Sequence, residues 1–281
     1  MRPALVALLF GATCIALSPI FVRLSEVGPT ATAFWRVALA VPVLWPFFRT
    51  PLKGPKLLFL AAGVAFAGDL AFWHSSIQLT SVANSTLLAN LASIFVTLAA
   101  WLLWRERPRP LFLLALALAL GGVAMLVHTS LAFSSTALLG DALGVVTAMF
   151  YAGYILAVKG LRDRGAATLQ VMAVTSTLTA LILLPVALAS GEQMLPSSAY
   201  GWWILTGLAL ISHAAGQGLI AYALAHLPAP FSSVGLLLQP VVAACFAWVL
   251  LSEPLAALQI AGGLVVLAAI WLARRASSRS T

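Results

Sequence analysis

The sequence predicts an all-α membrane protein of ten transmembrane helices, arranged as two inverted five-helix repeats. Three observations carry this: the apolar composition, the placement of the basic residues and an internal duplication. The 281-residue chain is 62% hydrophobic and only 8% charged. A helix crossing a bilayer needs roughly 20 apolar residues, and this chain supplies such stretches many times over, whereas a soluble domain has nowhere to hide so much apolar surface.

The predicted spans of the first half cover residues 4–24, 30–48, 56–77, 81–104 and 111–128, within a first repeat of residues 1–132. Those of the second cover 139–159, 167–189, 200–224, 229–251 and 255–273, within a repeat of residues 133–281. The first segment has one basic residue before its apolar run. That run is about 20 residues long and lacks a small-x-small cleavage site, so it is read as helix one rather than a signal peptide. Cys14 and Cys245 both fall inside spans, where a thiol behaves as a small apolar side chain.

A net charge of +8 suggests a nucleic-acid partner until the 15 Lys and Arg residues are placed on this map. Arg2, Arg49, Lys53, Lys56, Arg105, Arg107, Arg109, Lys159, Arg162, Arg164, Arg274, Arg275 and Arg279 all fall on one side, Arg23 falls near the other, and Arg36 lies within a span. Basic residues stay cytoplasmic during insertion, so both termini are expected inside, in the cell inner membrane, with the lipid bilayer and not nucleic acid as the partner. An odd number of spans would scatter these residues over both faces.

Sliding the chain by 147 residues superposes residues 80–106 on 227–253. Ser85 then coincides with Ser232, Leu91 with Leu238, Ala100 with Ala247, Trp101 with Trp248, Leu103 with Leu250 and Glu106 with Glu253. Leucine and alanine matches are cheap between membrane helices, so the Trp and Glu five apart carry the weight. Five spans per unit force the second copy to insert upside down, the arrangement associated with alternating access. That favours a transporter over a channel, a receptor or a membrane enzyme.

The runs "FWHSSIQLTSVANSTLLANLASIFVTLAAWLLWRE" and "GLIAYALAHLPAPFSSVGLLLQPVVAACFAWVLLSEP", with the "FWR" of Phe34 to Arg36, resemble EamA-type members of the drug/metabolite transporter superfamily. Within it the likeness is strongest to the YddG-type exporters of aromatic amino acids. The resemblance implies a ten-helix carrier with a central cavity lined chiefly by helices one, three, four, six, eight and nine, with five and ten outside. One departure stands out. The proline expected in the fourth helix of each half is present as Pro240 but replaced by Ser93 in the first, so the two are expected to bend differently.

Polar residues at bilayer depth are costly and mark candidate sites. In helix two, Arg36 lies about 9 Å from the outer surface, and in helix three Asp69 lies about 12 Å from it, at 1.5 Å per residue. The two are placed to form a gating or structural ion pair, or to face a solute separately; alternatively, Arg36 snorkels outward toward Glu26. Asp69 reads either as a bonded structural carboxylate or as a site for a substrate amine or a proton. Trp73 and His74 follow on the same helix.

Helix four carries Thr86, Asn90, Ser93 and Thr97 on one stripe. Asn90 is the better ligand contact, while Ser93 and Thr97 suit interhelical hydrogen bonding. Helix six aligns Thr147, Tyr151 and Tyr154 below the surface belt, which suits an aromatic or cationic solute as well as ordinary packing. Asp141 reads as the cap of that helix. In helix eight His213 and Gln217 share a face, and the histidines raise proton coupling as a hypothesis. Helix nine aligns Ser232, Gly235 and Gln239, with Pro240 as a gating bend. Glu106 and Glu253 close the fourth and ninth spans and are read as structural.

These features point to a secondary carrier exporting small metabolites, most readily aromatic or other neutral amino acids. Another metabolite or a drug-like cation is the alternative substrate. Phosphorylated substrates are disfavoured because, apart from Arg36, no span interior offers a Lys or Arg. No cofactor or metal is expected, since the chain has no His-x-x-x-His, Asp-x-x-Asp or phosphate-loop pattern.

Overall fold

Prolines and hydrogen-bonding side chains cut the apolar stretches into more pieces than hydropathy foretells. The computed structural model describes residues 2–47, 51–80, 82–105, 107–127, 135–251 and 256–278, and among these every regular element is helical. Glu106 and Glu253 lie outside the described residues. The first stretch comprises α1 (Arg2–Ile15) and α2 (Ser18–Arg23), the second α3 (Pro29–Ala38), α4 (Val41–Leu44) and a 3-10 turn (Trp45–Phe47). Pro19, Pro29 and Pro42 each sit in the first positions of a helix, where the missing N–H has no partner to lose.

Next come α5 (Lys56–Leu79), α6 (Val82–Ala89), α7 (Ala92–Trp104) and α8 (Pro110–Val127). They are followed by α9 (Ser135–Asp163), α10 (Thr168–Ala189), α11 (Ala199–Gly207), a π-helical stretch (Leu208–Gln217) and α12 (Gly218–Leu224). The chain ends with α13 (Ala229–Gly235), α14 (Leu238–Leu251) and α15 (Ala257–Ser278). Among the described residues seven helical stretches are long and apolar enough to cross a bilayer, and three shorter apolar ones accompany them. Asp141 does not cap its helix: α9 begins at Ser135, so Asp141 lies in the second turn.

The first half lacks the expected proline yet breaks at nearly the same place. The fourth stretch interrupts at Asn90 and Leu91, the ninth at Leu236 and Leu237, within one residue of each other under the 147-residue shift. Around both breaks the ladder tightens to three-residue bonds, Leu91 N to Leu88 O (3.0 Å) and Ser93 N to Asn90 O (3.2 Å) in one, Leu237 N to Val234 O (3.1 Å) and Gln239 N to Leu236 O (2.9 Å) in the other. The Asn90 side chain donates to the Thr86 carbonyl at 2.8 Å, and this local bond competes with the helix as Pro240 does by lacking a donor.

Helix α5 packs along α9, α8 along α15, and α7 against α13, while α1 lies against the π-helical stretch and α12. Small residues allow the closest approaches, as is usual between membrane helices. A Cβ on Gly11 would stand 2.8 Å from the Gly216 carbonyl, and one on Gly235 2.7 Å from Leu8. Phe59, Phe66, Leu70, Tyr154 and Ile155 fill the interior, while Leu57, Leu102, Leu103, Leu138, Trp203 and Leu264 point outward, an apolar exterior suited to lipid.

The bundle has two chemically distinct ends. Leu8 against Gly235 and Arg109 Nη1 donating to the Ala276 carbonyl at 3.2 Å place the start of α1 and the end of α15 at one end. Gly54 beside Leu161 and Gln170 Nε2 donating to the Pro51 carbonyl join the intervening loops to that same end. Every described Lys and Arg except Arg23 and Arg36 belongs to this basic end. At the opposite end the halves exchange glutamates. Glu26 accepts from the Ser197 amide and hydroxyl (3.0 Å each) and from Ser198 (3.0 and 2.5 Å), while Glu192 accepts from Thr30 N (2.8 Å), Thr30 Oγ1 (3.0 Å) and Ala31 N (3.1 Å). Each carboxylate caps a helix start in the other half, where the exposed N–H groups favour an anion.

Candidate solute-binding site

Between the mid-depth of the bundle and the glutamate clasp lies a cavity of about 80 Å³. Its polar wall consists of Ser18, Arg36, Asp69, Thr86, Asn90, Tyr151, Gln217 and Gln239, and Trp73 and Leu70 supply much of the apolar surface. Helix breaks position several of these groups. Ser18 opens α2 where Pro19 restarts the helix, Asn90 sits at the break between α6 and α7, Gln217 ends the π-helical stretch, and Gln239 lies just past the break before α14. Backbone irregularity of this kind is tolerated in a bilayer only inside protein or beside a cavity.

Arg36 is 3% exposed and turned inward, its guanidinium carbon 6.0 Å from the centre of the Phe66 ring. The snorkelling alternative therefore does not hold, because Glu26 is occupied by Ser197 and Ser198. Nor do Arg36 and Asp69 touch: within 4.0 Å the one ion pair among the described residues is Lys159 with Asp163. A guanidinium and a carboxyl group thus face a single cavity without an ion pair. Arg36 Nε, Ser18 Oγ, Gln217 Oε1 and Gln239 Nε2 are buried and have no hydrogen-bond partner. Buried polar atoms are rarely left unpaired unless something else satisfies them.

Three of the expected site residues stand behind the wall. His74 holds the Pro29 carbonyl through Nδ1 at 2.9 Å, and His213 meets Ser176 Oγ through Nε2 at 2.7 Å. Tyr154 is buried against Phe66 with ring centres 4.5 Å apart, and Phe66 in turn stacks on His213 at 5.3 Å. Pro240 shapes the break beside Gln239 without lining the cavity. The polar stripe of the fourth helix divides: Thr86 and Asn90 face the cavity, Ser93 Oγ donates to the Ser233 carbonyl at 2.9 Å, and Thr97 bonds to Ser93 O at 2.7 Å. Ser18 escaped sequence reasoning, although the Ser-Pro step in the first span marked a break. Among the described residues no group of three His, Cys, Asp or Glu side chains gathers to hold a metal.

A polar cavity buried in an all-helical, lipid-clad bundle is the layout of a membrane transporter for small solutes. Residues 2–128 and 138–275 both match the EamA-like transporter family, to which this chain belongs. An uncharacterized transporter of Archaeoglobus fulgidus is 29% identical over 267 residues, covering 90% of this chain and 91% of that one. The pseudopaline exporter CntI of Pseudomonas aeruginosa is 27% identical over 278 residues, covering 96% and 95% respectively. A solved crystal structure superposes with a TM-score of 0.80 at 16% identity, over 98% of this chain and 96% of the other, a likeness of fold.

Proposed function

We propose that this family member exports zwitterionic amino acids, aromatic ones foremost, across the inner membrane by alternating access. The observation carrying the substrate class is the pair of opposite charges, Arg36 and Asp69, that line one cavity without meeting. Two unpaired charges in a low-dielectric site are unfavourable, and a solute bearing a carboxylate at one end and an ammonium at the other satisfies both at once. Arg36 offers the planar fork that suits a carboxylate. Asp69 takes the ammonium, and Trp73 and Tyr151 supply aromatic surface for the side chain. Net neutrality of the solute matches the net neutrality of the pair.

At about 80 Å³ the cavity is smaller than the roughly 300–1,000 Å³ typical of ligand pockets. Binding then requires the walls to part, and the breaks at residues 16–17, 90–91 and 236–237 adjoin it. Ten crossings in two inverted five-helix units, with both termini cytoplasmic, supply the second state. The packing supports this reading, since partners recur when the halves are exchanged: α5 on α9 corresponds to α1 against the π-helical stretch, and α8 with α15 is self-paired. Export is in keeping with the relative named as an exporter.

Counterflow into proteoliposomes tests the substrate class. Phenylalanine, tyrosine and tryptophan are expected to drive exchange, whereas phenethylamine and phenylpropionate, each lacking one charge, compete weakly. Equal competition by either analogue would remove the zwitterion reading.

A further inference from the structure

A second chamber, of about 660 Å³, opens at the basic end, and it differs from the central cavity in charge and in the elements that build it. Arg107, Arg109 and Lys159 line it, opposed by the carboxylate of Asp163. Asp163 holds Lys159, and Arg109 is anchored on the Ala276 carbonyl. The balance favours anions. The volume lies within the range that encloses small ligands.

The helix that lines the central cavity also reaches this chamber. Along the fourth stretch Asn90 faces the cavity and Thr97 faces the chamber, and Ser93 lies between them with its hydroxyl on the Ser233 carbonyl. The ninth stretch repeats the order, with Gln239 in the cavity, Ser233 at the bond, and Pro230 and Phe231 in the chamber. Ser233 Oγ is itself tied to the Pro230 carbonyl at 2.8 Å. Both helices break next to this crossing, at 90–91 and 236–237, so one interhelical bond stands beside two ready hinges.

We propose that the chamber is a loading site for the carboxylate end of the solute, and that the Ser93–Ser233 bond is the latch between it and the central cavity. This rests on the amino-acid reading above for the identity of the solute, and not for the anion preference of the chamber. Arg107 and Arg109 concentrate carboxylates at the mouth in the way that cationic clefts steer ligands. Separation of the α7–α13 crossing then admits the solute to Arg36 and Asp69.

The test uses the full chain in proteoliposomes with Cys14→Ala and Cys245→Ala as background, and a single cysteine placed by Phe231→Cys. Anionic and cationic methanethiosulfonate reagents of similar size are applied from the basic end. The anionic reagent should label several-fold faster, and Arg107→Gln with Arg109→Gln, or high salt, should bring the ratio to unity. A ratio at or below one in the unaltered chamber overturns the loading site, whatever solute the protein carries.

Transport supplies the independent arm. With a solute that exchanges, the double Arg→Gln variant should raise KM for movement from the basic end and leave KM from the clasp end unchanged. Equal change on both sides overturns the proposal. For the latch, Ser93→Ala should accelerate labelling of Asn90→Cys from the basic end, and an unchanged rate removes the latch. Absence of amino-acid exchange together with anion-selective labelling would refute the substrate class alone.

Discussion

Arg36 and Asp69 were legible from the sequence as rare ionisable residues at bilayer depth, but their relation was not, because one residue per helix says nothing of which way each side chain turns. The structure points both into one cavity without an ion pair. Arg36→Gln and Asp69→Asn should each raise KM for aromatic amino acids about tenfold to a hundredfold, since a charged hydrogen bond contributes roughly 1.5–3 kcal/mol. The matching single-charge analogue should lose little in each variant, and binding to the purified variants by calorimetry checks this. His74 and His213, also singled out as titratable, bond instead to Pro29 and Ser176; a histidine in a sequence cannot announce its partner. Glu26 carries a pH prediction. Hydrogen bonds from Ser198, then Ser197, hold its carboxyl below the ordinary value of 4.5. A lowered folded-state pKa means that the clasp stabilises the protein at neutral pH and loses that contribution as pH falls below 4.5. The melting temperatures of the wild type and Glu26→Gln should therefore differ at pH 7 and converge in acid; a gap independent of pH would show that the carboxylate contributes nothing.

At the scale of elements, span existence was readable and continuity was not. Hydropathy averages over a window and does not register that Ser18-Pro19 or Asn90 interrupts a helix whose side chains remain apolar throughout. Pro240 signals a break by its chemistry, whereas Asn90 achieves the equivalent one through a side-chain bond to Thr86. It follows that Pro240→Ala should straighten the ninth stretch and slow exchange, because Leu237, the counterpart of Asn90, has no side-chain bond to replace the lost break. Unchanged exchange in Pro240→Ala would show instead that the break does not depend on the proline. The clasp is similarly a matter of elements. A Cβ on Gly201 would come within 2.5 Å of Glu26 Oε2, and one on Gly28 within 2.3 Å of Glu192 Oε2. Gly201→Ala should thus lower the melting temperature in detergent more than Glu26→Gln does, since it displaces the carboxylate and crowds the helix start together.

For the whole molecule, the asymmetry of its two ends is the feature with the widest consequence. If all described basic residues but Arg23 and Arg36 face the cytoplasm, a cysteine replacing Ser197 should react with an impermeant thiol reagent added outside intact cells, and one replacing Arg274 should react only after lysis. Labelling of both from outside would discard the orientation. The amino-acid order alone determined the membrane class, the duplicated organisation to be expected and the basic face, because each depends on composition and position along the chain, quantities that need no third dimension. Tertiary structure decided which polar groups share a cavity, that Arg36 turns from Glu26 toward Asp69, and that the broken helices meet at Ser93 and Ser233. Those outcomes depend on helix rotation and on contacts between residues more than a hundred positions apart, set by how glycine-lined surfaces pack together rather than by any local pattern.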